Sequence, residues 1–287
     1  MSNIIGIDIG GTSIEGGRIE CGQIISYAKA DTQADIGGET TIGVLKGVIS
    51  QLIDGQTTAI GIGVPSVVNR RTGVVYNVQN IAGWDEVPLK DILEAEFSLP
   101  VFVDNDANCF AYGEKIFGKG RDIENFVGVT LGTGLGAGII HNHRLLSDAN
   151  CGSGEFGEIP YMNVKLEDYC GSRFFTGRTG RSGYEIATDA RKGDSEAIGV
   201  FEEYGRHMAF LVKIVMLTLD PEAIIFGGAI SKSFDLFEEA IMANLTDFPY
   251  PKSVERIKIM RSEQDNSGIL GAGALCLTDD RQALSIS

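Results

Sequence analysis

Apolar and polar positions alternate along this chain in two rhythms, one near two residues and one near three and a half. NIIGIDIGG has the tight apolar spacing of a strand running into a glycine turn, and TSIEGGRIE that of the strand leaving it. TTIGVLKGVISQLID has helical spacing, and TAIGIGVP is a short apolar strand ending at Pro65. VPLKDILEAEF predicts a compact helix with Pro88 near its start. LPVFVDND is a further apolar strand, with ANCFAYGEKIFG as a helix after it.

The stretch ENFVGVTLGTGLGAGIIHNHRLL then repeats the opening theme: apolar strand, glycine turn, second strand, and a hairpin at Asn142 and His143. The match of IIGIDIGGTSIEGGRI to FVGVTLGTGLGAGII is an internal repeat, and it predicts two halves of related architecture. DSEAIGVFEEYGRHMAFLVKIVMLTL predicts a long amphipathic helix. PEAIIFGGAIS is a strand followed by glycines, and FDLFEEAIMANL, LEDYCGSRFF and SGILGAGALCL read as helices. Alternating strands and helices over 287 residues predict two α/β domains.

Composition narrows the function classes. A hydrophobic content of 43% and a charged content of 22% are ordinary for a soluble globular chain. The 38 glycines, against only 7 prolines, predict many tight turns of the kind that approach phosphates. A net charge of −15 without a cationic stripe argues against nucleic acid as a partner. It does not argue against an anionic substrate, which backbone amides can hold. The five cysteines, Cys21, Cys109, Cys151, Cys170 and Cys276, are scattered and odd in number, with no CxxC pair. They predict a reducing compartment and neither a disulfide framework nor a closed zinc site. With no signal peptide and no run of membrane-spanning length, a cytoplasmic protein is expected.

Three motifs carry candidate chemistry. In Ile5-Gly6-Ile7-Asp8-Ile9-Gly10-Gly11-Thr12 the turn at Gly10 and Gly11 can present main-chain N–H groups to a phosphate, with Thr12 adding a hydroxyl. Asp8, at the strand end, can accept from water around Mg²⁺, an ion that keeps several of its waters. The motif is neither GxxxxGK[ST] nor GxGxxG, since a strand and not a helix follows. A plain hairpin turn is the alternative, weakened by the repeat at Gly132, Thr133, Gly134 and Gly136. Asp104-Asn105-Asp106-Ala107-Asn108 joins a strand to a helix, at a carboxyl end of a sheet, where ligands of open α/β folds bind. One such residue would serve as a helix cap, but two aspartates and two asparagines exceed that need. Gly227 and Gly228, after an apolar strand, form a tight turn against which a nucleotide could also lie. A fourth stretch, GEFGEIPYMNVKLE, gathers Glu155, Glu158 and Glu167 and leaves open whether they serve a metal, acid/base chemistry or a ligand, or form only a solvated loop.

Taken in order, DIGGT, GVPS, NIAGW, DNDAN, GVTLGTGLGAG, GEFGE and IIFGGAIS closely resemble the ROK family of repressors, open reading frames and sugar kinases, from about Ile4 to Ala274. The resemblance implies a two-domain, ribonuclease H-like fold of the actin/hexokinase type with an interdomain active-site cleft. One domain would comprise residues 1–107 plus about 268–287, the other 108–267. Because the phosphate turn begins at once, the kinase branch is expected and not the repressors with their helix-turn-helix extension.

The implied activity is ATP- and Mg²⁺-dependent phosphorylation of a hexose, glucose by default, at the 6-hydroxyl. An N-acetylated amino sugar (N-acetylglucosamine or N-acetylmannosamine) and fructose are the alternatives within the family. An acyl or polyol kinase of the same superfamily and a non-catalytic sugar sensor lie outside it. The resemblance also implies a homodimer. By the same resemblance, Gly10, Gly11, Thr12, Gly132, Thr133 and Gly134 contact the ATP phosphates, Asp8 lies near Mg²⁺, and Gly227 and Gly228 lie by the adenosine. Asn80, Asn105, Asp106 and Glu155 match sugar-binding positions, and Asp106 matches the catalytic base. Gly63-Val64-Pro65-Ser66 departs from the family's GxPG in its last residue.

Family kinases follow GEFG with a His and a CxCGxxGC loop that together hold zinc. Here Glu158 takes the place of the His and the cysteine loop is missing, so no structural zinc is expected. Glu155 and Glu167 are expected to grip the sugar, and Glu158 to replace the His as a hydrogen-bond acceptor. Glu167 could instead serve only as favourable charge at a helix start. His141, His143 and His207 are too scattered to propose as ligands.

Overall fold

A computed structural model of the protein describes residues 3–78, 81–147 and 149–277. The chain forms two compact units, the first from the described residues up to Arg121, Leu145–Ser153 and Gln264 onward, the second from Asp122–Arg144 and Gly154–Glu263.

In the first unit β1 (Asn3–Ile9), β2 (Ser13–Glu20), β3 (Gln23–Asp31), β4 (Thr57–Val64) and β5 (Val101–Asn105) form one sheet in the order β3-β2-β1-β4-β5. The first three are antiparallel neighbours; β4 and β5 continue parallel to β1. Ile5, Ile7, Ile60, Ile62 and Val64 are all fully buried, as strands covered on both faces require. The covering helices are α1 (Gly38–Leu52), α2 (Leu89–Phe97), α3 (Asp106–Phe117) and a last helix, Ser267–Ala274. Consecutive residues of β2 identify the two faces: Gly16 meets Val48 and Leu52 of α1, and Gly17 meets Ile269 of the last helix. That helix lies so close to β4 that a methyl group at Gly61 would overlap the Ala272 carbonyl. It crosses α3 just as closely, Gly113 against Gly271. This packing holds α3 in the first unit, so the division expected at 107/108 lies instead at 121/122, and the chain returns at Gln264 and not at about 268.

In the second sheet, which apart from Leu145 belongs to the second unit, β6 (Phe126–Leu131), β7 (Leu135–His141), the short β8 (Arg144–Leu145), β9 (Ala223–Gly227) and β10 (Lys258–Arg261) follow the order β8-β7-β6-β9-β10. Again a hairpin opens the sheet, and two parallel strands extend it on the other side. The repeat read in the sequence is thus a repeat of topology. Helices α4 (Leu166–Cys170) and α5 (Ser172–Thr179) correct the single helix expected for LEDYCGSRFF. The break falls at Gly171, which is extended (φ −94°, ψ −177°) and leaves no room for a side chain beside the Thr133 carbonyl. The long helix α6 (Ser195–Leu219) is as its periodicity predicts. Asp194 caps it by accepting from the Ala197 N–H at 2.8 Å, and Phe201, Tyr204, Met208 and Val212 face the core. Among the described residues no helix is long and apolar enough to cross a membrane.

Candidate active site

The parallel strands β1, β4 and β5 bring their carboxyl ends together in the first unit. Asp8 pairs in register with Gly63, and Gly63 with Asp104, so the two aspartates stand in one row on either side of a glycine. Gly63 is crowded as well: a Cβ there would lie 3.2 Å from the Cys109 sulfur and 3.7 Å from the Asp106 Cα. The buried Cys109 thiol is held well above its usual pKa, first by desolvation and then by the charges of Asp104, Asp106 and Asp8. Three carboxylates therefore converge on one corner.

Each polar side chain of DNDAN has a distinct use there. Asp104 is buried, takes the Arg70 Nε at 2.7 Å, and accepts from the Asn105 N–H at 2.8 Å and the Asn108 amide at 2.9 Å. Asn105 is the α3 cap, its side-chain oxygen accepting from the N–H groups of Ala107 at 2.8 Å and Asn108 at 3.3 Å. Its amide also donates to the Ser66 carbonyl at 3.2 Å, which ties the GVPS segment to the same corner. Asp106 opens α3, with one oxygen accepting from the Ala107 N–H at 2.8 Å. The surplus of polar residues over one cap is thus resolved into a cap, a buried ion pair and Asp106. Arg70 escaped sequence reasoning; its only signal was that a strand-end carboxylate beyond the cap would need a cation.

Burial, and secondarily the nearby Glu15, push the Asp8 carboxyl up to about 6; both act in the same direction. The adjoining turn is closed by the Gly10 N–H donating to the Ser13 carbonyl at 2.8 Å. Thr32 braces it, its hydroxyl donating to the Gly10 carbonyl at 2.7 Å and its N–H to the Thr12 carbonyl at 3.0 Å. Gly11 and Thr12 are left exposed at the tip.

The second unit builds its own glycine turn. The Gly132 N–H donates to the Gly134 carbonyl at 3.1 Å, and the Ser172 N–H donates to the Gly132 carbonyl at 2.9 Å, with Thr133 exposed between. Glu167 pins the end of this turn by accepting from the Leu135 N–H at 3.1 Å. Its other oxygen faces Lys165 at 3.3 Å, and the same ammonium holds Glu158 at 2.6 Å. Glu158 is otherwise exposed. Partial desolvation, then the neighbouring carboxylates Glu158 and Glu167, raise the pKa of Glu155, with Lys165 opposing. Gly228 has φ +82° and sits against the Leu131 backbone, so both conformation and space exclude a side chain there. Gly227 ends β9 in register with Thr130. Asn80 lies outside the described residues.

Each unit therefore presents an exposed glycine turn, and the first adds a carboxylate corner. Similarity to known proteins runs through both. The ROK family profile matches residues 4–174 and 177–279. The chain is similar to a glucokinase of Thermotoga maritima, 29% identical over 95% of this chain and 96% of that protein. It is 33% identical to a glucokinase of Streptomyces coelicolor, over 84% of this chain and 86% of that one. Among solved structures it resembles a ROK family glucokinase from Streptomyces griseus in complex with glucose and AMPPNP. There the TM-score is 0.81 and the identity 28%, over 96% of this chain and 99% of that one. The α/β fold of two 3-2-1-4-5 sheets is accordingly the ribonuclease H-like, actin/hexokinase-type fold. Matched along nearly its whole length, the chain belongs to the ROK family.

Proposed function

We propose that this protein transfers the terminal phosphoryl group of ATP to glucose at the 6-hydroxyl. That it is a sugar kinase acting on a hexose follows from its relatives; the particular sugar and the roles below are our reading. The observation that carries it is the corner where Asp106, at the start of α3, adjoins Gly63 between Asp8 and Asp104.

Phosphoryl transfer asks chiefly for positioning and charge stabilisation. The Gly10–Thr12 and Gly132–Gly134 turns offer main-chain N–H groups to phosphate oxygens, an arrangement that works despite the net charge of −15. Asp106 accepts the proton of the attacking hydroxyl as transfer proceeds, a contribution of about 10²–10⁴ in rate. Asn105 and Glu155 supply hydrogen-bond partners to the ring hydroxyls, and Asn80 and Glu167 join them in this reading. Gly227 and Gly228 lie by the adenosine.

Asp8 fits a magnesium role. Its carboxyl is destabilised by desolvation and by Glu15, and a cation there would oppose both. Asp8 would hold Mg²⁺ through the ion's waters. When bound, Mg²⁺ neutralises charge on the phosphate oxygens. We further propose a cytoplasmic homodimer.

A panel of glucose, fructose, N-acetylglucosamine, N-acetylmannosamine and polyols in an ADP-release assay tests the reading. Glucose should give the highest kcat/KM. A higher value for an N-acetylated sugar or fructose would replace the substrate and keep the kinase. Tight sugar binding without turnover would make the protein a sensor, and turnover with polyphosphate alone would replace the donor.

A further inference from the structure

We propose that Arg70 is a positioning residue for the reaction: one guanidinium holds the corner that carries Asp106, through Asp104, and fastens the Leu146 backbone to it. The inference rests on the reading of Asp106 as the base.

Two nitrogens of Arg70 do different things. Its Nε reaches Asp104 at 2.7 Å, and its Nη1 donates to the Leu146 carbonyl at 3.2 Å. The Asp104 side chain is only 2% exposed, so its charge depends on a partner within the protein. Asp104 in turn accepts from the N–H of Asn105 at 2.8 Å and from the Asn108 amide at 2.9 Å, one residue before Asp106 and two after it. The base is therefore braced on both sides by a carboxylate whose own position depends on Arg70.

The second contact reaches elsewhere. Leu146 lies in Leu145–Ser153, the stretch that joins the first unit between two parts of the second. Arg70 thus ties the Leu146 backbone to the corner that holds the base, within the first unit, and no contact with substrate is needed for this. A lysine could not reproduce it, because its one ammonium lacks the separate nitrogens that here stand beside the Asp104 carboxylate and donate to the Leu146 carbonyl.

The test uses the full-length protein with ATP and whichever hexose of the panel turns over best. Misplacing reacting groups by about 1 Å costs on the order of 10² in rate, so Arg70→Met should lower kcat by about 30- to 100-fold with the KM for ATP held within about twofold. Adding Asp104→Asn should recover about tenfold of that kcat, because the buried charge that Arg70 had offset is then removed. Arg70→Lys, which keeps the charge, should still lose about tenfold in kcat. If Arg70→Met fails to fold by circular dichroism, Arg70→Lys decides the matter on the same readouts. A wild-type kcat in the folded variant overturns the proposal, as does an equal loss through kcat and both KM values that follows a fall in Tm. An active Asp106→Asn protein would sink the base reading separately, whatever Arg70 does.

Discussion

Asp8 and Asp104 stand in one row of the first sheet with only Gly63 between them, yet their charges are treated in opposite ways. Asp104 is neutralised by Arg70 from within the protein. Asp8 is pushed up to about 6 by burial and by Glu15. One carboxylate of the row thus has a cation beside it within the protein, and the other has its charged form disfavoured.

That difference predicts a pH-dependent stability. The Asp8 carboxyl titrates near 6 when folded against a reference of 3.8, so the folded protein binds the extra proton between those values. Stability is therefore lost as pH rises through that window, and the penalty is complete above it, on the order of 3 kcal/mol. Asp8→Asn should raise the Tm of the ligand-free protein at pH 7.5 by several degrees, with the gain shrinking toward pH 4, while turnover falls. Calorimetry across pH checks this, and an unchanged Tm at pH 7.5 would contradict it.

Asp106→Asn should lower sugar phosphorylation by about 10²–10⁴. Its Ala107 contact can be kept by an amide oxygen, so the corner should stay folded. ATP affinity by titration calorimetry should stay close to wild type. A variant as active as the parent would remove the base from the mechanism.

The second glycine turn depends on Gly134, because a methyl group there would run into the Glu167 carboxylate that holds the Leu135 N–H. Losing a hydrogen bond to a charged group costs about 1.5–3 kcal/mol, so Gly134→Ala should raise the KM for ATP by about tenfold or more. Gly177, in α5, has open space around its Cβ position. Gly177→Ala should leave the KM for ATP unchanged and serves as the control.

The three glutamates should separate by function. Glu158 is exposed and ion-paired with Lys165, an arrangement whose loss costs about 0–1 kcal/mol. Glu155 is exposed too, but partial desolvation and then the charges of Glu158 and Glu167 raise its pKa, with Lys165 opposing. Glu155→Gln should raise the sugar KM by about tenfold or more, and Glu158→Gln by less than about threefold. The reverse order would favour Glu158 as the acceptor in the place of the family's His.

Elemental analysis of protein purified without added zinc should find well below one equivalent. Among the described residues no group of three or more His, Cys, Asp or Glu side chains is arranged to hold a metal ion. Lys165 bridges Glu158 and Glu167 in the segment that follows GEFG. A stoichiometric zinc content would mean that ligands had been missed.

By itself the sequence determined what short-range periodicity and steric rules can encode. The strand–turn–strand repeats, the long helix at Ser195–Leu219 and the glycine turns could be read from neighbours along the chain, because pleat, helical spacing and turn geometry are local. The order of short motifs also identified the family and the candidate base. Only the tertiary structure decided which groups meet across long separations. It paired Arg70 with Asp104, drew α3 onto the last helix and so moved the unit boundary, broke LEDYCGSRFF at Gly171 against the second glycine turn, and set Glu167 on the Leu135 N–H. Those outcomes depend on close approach of distant backbone and on which buried charge finds a partner, and no window of consecutive residues contains either.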